Sequence, residues 1–325
     1  VIGAWIILAA YTLDLIIGDP KWIPHPVIAM GKAITGLENI IRRKVTTDRG
    51  LRYAGFLFPI LIVTGAYVLT WAFLKLLFYI HPALAIAGEI LLIATTIATK
   101  GLRDAGIEVY KHLRAGKLPE ARAALGMIVG RDTKQLESSE VVRGTVETVA
   151  ENIVDAIISP LFFAFLGGAP LAMAYRAVNT LDSMVGYKNE KYKSLGMASA
   201  RLDDIANFIP ARITALLLFA SAGVLGLHVK NSVRTVKRDA RKHPSPNGGY
   251  PESAVAGALG IRLGGYNVYH GVRSFRAYMG EPYHEMEAGH IRTTIAMMYT
   301  SSSLFVVFLV LLLWLTSITG VGWLW

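Results

Sequence analysis

Three acidic residues spaced one helical turn apart are the first feature of this sequence that could do chemistry. Glu147, Glu151 and Asp155 recur at four-residue intervals, with Arg143 one turn ahead of them. A helix would place all four on one face. Thr148, Asn152 and Ser159 line the neighbouring stripe. Neighbouring carboxylates repel one another unless a cation stands among them. Magnesium takes oxygen ligands, commonly one or two carboxylates completed by phosphate oxygens. The plainer alternative is a solvated helix face carrying an Arg143–Glu147 pair. Asp132 with Gln135 resembles a capping box, which predicts a helix from there to about Ile158.

A second polar block, NTLDSMVGYKNEKY, spans Asn179–Tyr192. It gathers Asn179, Asp182, Ser183, Lys188 and Asn189 around Gly186, where a helix is expected to end. Arg201, Asp203, Asp204 and Asn207 follow. Asp203 and Asn207 lie one turn apart, a second oxygen-ligand cluster suited to a phosphate held through a metal and basic side chains. The alternative is a cap-and-turn segment between membrane helices.

A third segment, HPSPNGGYPESAVAGAL, spans His243–Leu259. Its prolines and glycines predict irregular backbone up to Glu252, with Ser245, Asn247, Gly248 and Gly249 offering backbone amides to an anion. A helix of small residues is expected next, able to approach another helix or a ligand closely. No Walker A, GxGxxG or HExxH spacing is present. The first loop adds Asp14, Asp19, His25 and Glu38, although a lone histidine between prolines is more often structural than a base.

The elements that must position these groups are membrane helices. Of 325 residues, 53% are hydrophobic and only 17% charged. A soluble domain carries nearer a quarter charged residues. Phe56–Leu74 and Leu304–Trp325 hold no charge at all, and runs of about 20 apolar residues can cross the hydrocarbon as helices. Spans are expected at 2–17, 54–80, 83–99 and 296–315. Short or re-entrant apolar segments are expected near 160–174 and 213–227. The apolar start reads as a retained span, since it lacks a basic region and a cleavage site. Residues 18–53, 100–159 and 229–292 carry seven, nine and ten Lys/Arg, which places them on the cytoplasmic side and the His81-Pro82 hairpin outside. The net charge of +10 fits this bias and contact with anionic lipid. Without cysteine there is no disulfide or thiolate chemistry. The expectation is one domain, 1–325: an all-α polytopic protein of the cytoplasmic membrane with helical cytoplasmic loops.

Together the blocks resemble a known family. Asp14, Gly18-Asp19-Pro20, His25-Pro26-Val27 and Met30-Gly31 come first, followed by Gly130-Arg131-Asp132 and Glu147, Glu151-Asn152, Asp155. The Asn179–Tyr192 block with Asp203-Asp204 and then SPNGGYPESAVAGAL complete the order. This is similar to the CobD/CbiB family of cobalamin-biosynthesis membrane proteins, the adenosylcobinamide-phosphate synthases, over nearly the whole chain.

The resemblance implies an ATP-dependent ligase. It would join (adenosyl)cobyric acid to aminopropanol or aminopropanol phosphate through an amide, with cobalt belonging to the substrate. Carboxylate and amine do not condense readily in water, so activation as an acyl phosphate is expected. That requires Mg2+, basic groups for phosphates and a general base. On this reading Glu147, Glu151 and Asp155, or Asp182, Asp203 and Asp204, hold magnesium. Arg131, Lys188 and Arg201 hold phosphates, with Asn179, Ser183 and Asn189 beside them. The Ser245–Glu252 loop binds phosphate or corrin amides, and Asp19 or His25 is the base; Asp182 and Lys188 count among the catalytic candidates. The bilayer is the expected environment and no nucleic acid a partner, while self-association stays open. The competing expectations are a magnesium-dependent membrane prenyltransferase, which would need two separated Asp-rich motifs, and a non-enzymatic transporter or sensor.

Overall fold

The computed structural model describes residues 2–18, 25–187, 189–269 and 271–318. In chain order the helices are α1 (Ile2–Ile17), α2 (Pro26–Lys44), α3 (Asp48–Ala54), α4 (Thr64–Ile80), α5 (Pro82–Ala94), α6 (Thr99–Arg114) and α7 (Leu118–Gly126). α8 (Ser138–Ile153), α9 (Ser159–Val185), α10 (Met197–Ala206), α11 (Phe208–Val224), α12 (Val229–Asp239) and α13 (Gly249–Leu259) follow. An antiparallel hairpin, β1 (Leu263–Tyr269) with β2 (Val272–Met279), precedes the last helix, α14 (Gly289–Ile318). The fold is that of an all-α polytopic membrane protein. The hairpin is an addition that the helical reading of 229–292 did not contain.

Four helical runs among the described residues are long and apolar enough to cross a membrane: Asp48–Ile80, Pro82–Arg114, Ser138–Val185 and Gly289–Thr316. α10 and α11 would make a fifth, bent by 44°. The first two runs extend beyond the expected 54–80 and 83–99, because α3 and α6 continue them with polar residues. Their most apolar windows are 11% and 22% buried, which leaves Leu69, Trp71, Phe78 and Tyr79 exposed, as suits helices that face lipid. α1 has the expected bounds but only 16 residues. His81 makes the tight turn between α4 and α5. Its backbone amide donates to Leu77 O, and its Nδ1 accepts from the Ala83 amide at 3.1 Å. One side chain thus closes the hairpin.

The described parts of the chain divide into two compact units. One comprises Val1–Ala98, Ser159–Asn207 and Val306–Trp325. Here α9 packs against α2, α4, α5 and α10. Ile34, Ile41, Phe58, Leu181, Val185 and Leu195 form its core cluster. The apolar stretch expected near 160–174 is broken inside α9, where Gly167 and Gly168 leave helical geometry, Gly168 with φ 62° and ψ −161°. A side chain is strongly disfavoured in that conformation. The amide of Ala169, freed by the break, donates to Glu89 Oε1 at 3.3 Å.

The other unit comprises Thr99–Ile158 and Phe208–Phe305. α13 is its centre, buried everywhere except at Tyr250, and packs on α8, α11, α12 and the hairpin. Its small residues serve a helix partner. A Cβ on Gly257 would lie 2.6 Å from Asn231 O and 2.7 Å from Ser232 Cα of α12, and Ser232 Oγ donates to Ala254 O at 2.7 Å. α13 begins at Gly249, earlier than the expected Glu252. Pro251 falls in the first turn, where a backbone N–H has no helical partner to lose. α8 begins at Ser138, not Asp132. The Asp132 carboxylate instead accepts from the Gly271 amide at 2.8 Å, and the Asp132 amide donates to Val268 O. The supposed capping residue anchors the β-hairpin.

Candidate functional site

Within the second unit, α8 presents Glu147 and Glu151 towards α13 and the hairpin. Glu147 is 1% exposed and is committed on both oxygens. Oε1 accepts from the Gly264 amide at 2.8 Å and from Arg143 Nη1 at 3.1 Å, and Oε2 accepts from Arg131 Nη2. The neutral partner between the two arginines is Asn267, whose Oδ1 accepts from Arg131 Nη1 and from Arg143 Nη2. Arg143 also donates to Gly264 O, Tyr266 O and Glu140. A buried carboxylate is tolerable only with this many donors.

The hairpin makes the arrangement. Gly264 and Gly265 have φ of +86° and +94°, and the strand register shifts between Leu263 and Gly265. This bulge turns the Gly264 amide towards Glu147 and its carbonyl towards Arg143.

A second cluster lies on the SPNGG segment. Ser245 Oγ accepts from the Asn247 and Gly248 amides, closing a tight turn. The Ser245 amide donates to His243 Nδ1 at 3.0 Å. Asn247 Oδ1 accepts from Arg212 Nη1 at 3.3 Å, and Arg212 stacks on Tyr250. Gly249 follows immediately and is buried. Gly248 approaches both His243 and Glu151, since a Cβ there would lie 3.2 Å from Glu151 Oε1. Glu252 Oε1 accepts from Arg276 Nη2 at 2.9 Å, and His243 Nε2 lies 3.3 Å from that oxygen. Glu252 Oε2 is buried and accepts no hydrogen bond among the described residues. Burial pushes the Glu252 carboxyl up to about 8, with nearby Glu147 and Glu151 adding to the effect and Arg276 opposing it.

Of the residues singled out in the sequence, Glu147 and Glu151 from their spacing, Arg131 from the family resemblance and the Ser245–Glu252 loop lie together in this unit. Asp155 sits in the π turn Val154–Ile158 that follows α8. Three participants were missed: Arg276 and Asn267 on the hairpin, and His243 before the loop. Only His243 had a signal, its place at the head of the Pro/Gly segment.

The remaining candidates lie in the first unit. Asp182 lies in the last turn of α9, with its carboxylate against Gly186, and the helix stops at Val185 as expected. Ser183 Oγ donates to Asn179 O, and Asn189 Oδ1 accepts from the Tyr192 amide. Arg201 is exposed on α10, beside partly buried Asp203 and Asp204. Asn207 is buried: its Nδ2 donates to Asp203 Oδ2, and its Oδ1 accepts from Ser159 and Tyr175 hydroxyls. His25 caps α2, with Nδ1 accepting from the Val27 amide at 3.3 Å. Asp19 and Lys188 lie outside the described residues. Among the described residues no three His, Cys, Asp or Glu side chains converge on a point that could hold a metal by themselves.

Comparison with known proteins covers nearly the whole chain. The family model described as CobD/Cbib protein matches residues 7–298. A cobalamin biosynthesis protein CbiB from Salmonella typhimurium is 48% identical over 301 residues, 93% of this chain and 94% of that relative. A cobalamin biosynthesis protein CobD from Geobacter metallireducens is 46% identical over 314 residues, 97% of this chain and 98% of that relative. A CobD from Klebsiella pneumoniae is 47% identical over 301 residues. No solved structure matches the chain.

Proposed function

The chain belongs to the CobD/CbiB protein family, and on that premise we propose that it is a cobalamin-biosynthesis enzyme of the membrane. The reaction is ATP-dependent amide formation between (adenosyl)cobyric acid and aminopropanol or its phosphate. What carries the reading is near-full-length similarity to proteins named for cobalamin biosynthesis. The buried carboxylate–arginine cluster beside a Pro/Gly loop supplies groups suited to that chemistry.

Magnesium, when bound, neutralises phosphate charge during activation of the acid. Glu147 is a poor ligand because its oxygens are taken by Arg131, Arg143 and Gly264. Glu151 fits better, since magnesium needs few carboxylates when phosphate oxygens complete its shell. In the first unit Asp182, Asp203 and Asp204 are the rival set.

Arg131 and Arg143, pinned by Glu147 and Asn267, hold positive charge rigidly where charge builds up on a transferring phosphoryl group. The Ser245–Gly248 turn positions Gly248 against Glu151. Glu252, a carboxyl that exchanges its proton close to neutral pH, suits removal of the proton from the attacking ammonium. Its free oxygen Oε2 would accept that N–H. His25, which caps α2, and Asp19 are the other base candidates. The site faces the cytoplasm, on the side of the basic segments.

The experiment is direct. Purified protein is given cobyric acid, aminopropanol or its phosphate, ATP and magnesium, and products are followed by mass spectrometry. ATP-dependent gain of the aminopropyl group is expected. Corrinoid or nucleotide binding without any turnover, under conditions where a CbiB relative turns over, sinks the ligase reading and favours a transporter or sensor.

A further inference from the structure

A cleft of about 470 Å3 opens beside the hairpin, lined by Ser139, Glu140, Arg143, Arg262, Tyr266, Arg273, Tyr278 and Glu285 among others. Its volume lies within the range of small-ligand sites, roughly 300–1,000 Å3, and suits a nucleotide better than a corrin ring with its side arms. Arg262 stacks over the Tyr278 ring at 4.3 Å and Arg273 over the Tyr266 ring at 3.7 Å. Among the described residues neither arginine is paired with a carboxylate, unlike Arg143, Arg238 and Arg276.

Stacking fixes the plane of a guanidinium but leaves its N–H edges open, which is the arrangement that grips phosphate oxygens. Of the two carboxylates lining the cleft, Glu140 is already held by Arg143 at 2.5 Å. With Arg143 paired to Glu140 and Glu147, Arg262 and Arg273 face Glu285 alone, an excess of one positive charge. The rings provide the other half of a site. Tyr266 and Phe275 are direct cross-strand partners with ring centroids 5.0 Å apart, and Phe275 meets Tyr278 at 5.4 Å. All three are about half exposed, an aromatic surface on which a planar base can stack. The inner wall is Arg143, which also donates to buried Glu147. A ligand in the cleft would touch the same guanidinium that orders the carboxylate cluster.

We propose that this cleft binds a nucleoside polyphosphate, with Arg262 and Arg273 on its phosphates and the rings of Tyr266 and Tyr278, which Phe275 packs against, on its base. The assignment deepens the ligase reading, on which it rests, by placing ATP against the outer side of Arg143.

The test uses full-length protein in detergent, with labelled ATP and magnesium in equilibrium dialysis, and R262Q/R273Q as the main variant. The double variant should bind ATP at least tenfold more weakly and raise KM for ATP by a similar factor. KM for cobyric acid should stay within twofold, as should the thermal midpoint of unfolding within a few degrees. R262K/R273K should recover only part of the loss, because an ammonium lacks the planar fork. R234Q, at an exposed position of α12, is the control for general charge loss and should bind as the unaltered chain does. ATP affinity within twofold of the unaltered chain in folded R262Q/R273Q overturns the assignment, as does no ATP binding by the unaltered chain. Weakened ATP binding in the variant with no ligation by the unaltered chain keeps the cleft and removes the ligase reading. Normal ligation with unchanged KM for ATP in the variant does the reverse.

Discussion

Glu147 and Glu151 are one turn apart on α8, and the proposed function gives them different work. Glu147 accepts from two arginines and an amide in a buried setting. Removing it leaves Arg131 and Arg143 buried with too few acceptors, a loss of about 3–5 kcal/mol for a broken buried pair. Glu147→Ala should therefore lower the thermal midpoint sharply and give little folded protein. Glu151→Ala should unfold near the normal temperature but lose at least a hundredfold in ligation rate. Equal stability losses in the two variants would contradict the division of roles. Asp239 gives a pH signature. Burial opposes its ionisation, but hydrogen bonds from Arg238, Lys242 and the Gly280 amide win and hold it down to about 2. Its folded value lies below its ordinary 3.8. The stability it provides, about 2 kcal/mol for a shift of this size, is complete above pH 4 and lost as pH falls towards 2. Asp239→Asn should flatten that part of the unfolding profile.

At the scale of elements, two breaks in regularity matter most. The bulge at Gly264–Gly265 lets one strand serve both Glu147 and Arg143. Gly264→Ala would bring a Cβ to 2.3 Å from Ala277 O at φ +86°. It should disrupt the hairpin and reduce ligation together with stability. The break in α9 at Gly167–Gly168 is supported by Glu89, which takes up the Ala169 amide. Glu89→Ala should cost on the order of 1 kcal/mol, as loss of a helix-capping acceptor does. Detergent melting reads it, and Glu89→Gln should recover most of the loss, because an amide oxygen also accepts.

For the molecule as a whole, the testable property is sidedness. The absence of cysteine makes single introduced cysteines clean reporters. Ala83 is exposed at the α4–α5 turn and Lys230 is exposed on α12. In intact cells a membrane-impermeant maleimide should label Ala83→Cys and leave Lys230→Cys untouched until the membrane is opened. The reverse pattern would put the carboxylate cluster on the outer side and remove the cytoplasmic placement.

Much of this protein is written locally. Long uncharged runs, the His81-Pro82 turn and the stop at Gly186 depend on neighbouring residues, so the membrane class and several helix ends were legible in the sequence. The four-residue spacing of Glu147 and Glu151 was equally plain. The partners of those acids were not. Asn267 lies 136 positions from Arg131, and Gly264 lies 117 from Glu147. Helical periodicity says which side chains share a face but nothing about what returns to meet that face. Asp132 shows the cost of a local reading, for its capping-box pattern was real in the sequence while its carboxylate went to Gly271. Strand pairing and a bulge decided that arginines and a glycine amide, not a solvated surface, surround Glu147. A buried carboxylate must find donors wherever the folded chain supplies them. That requirement is met only in three dimensions.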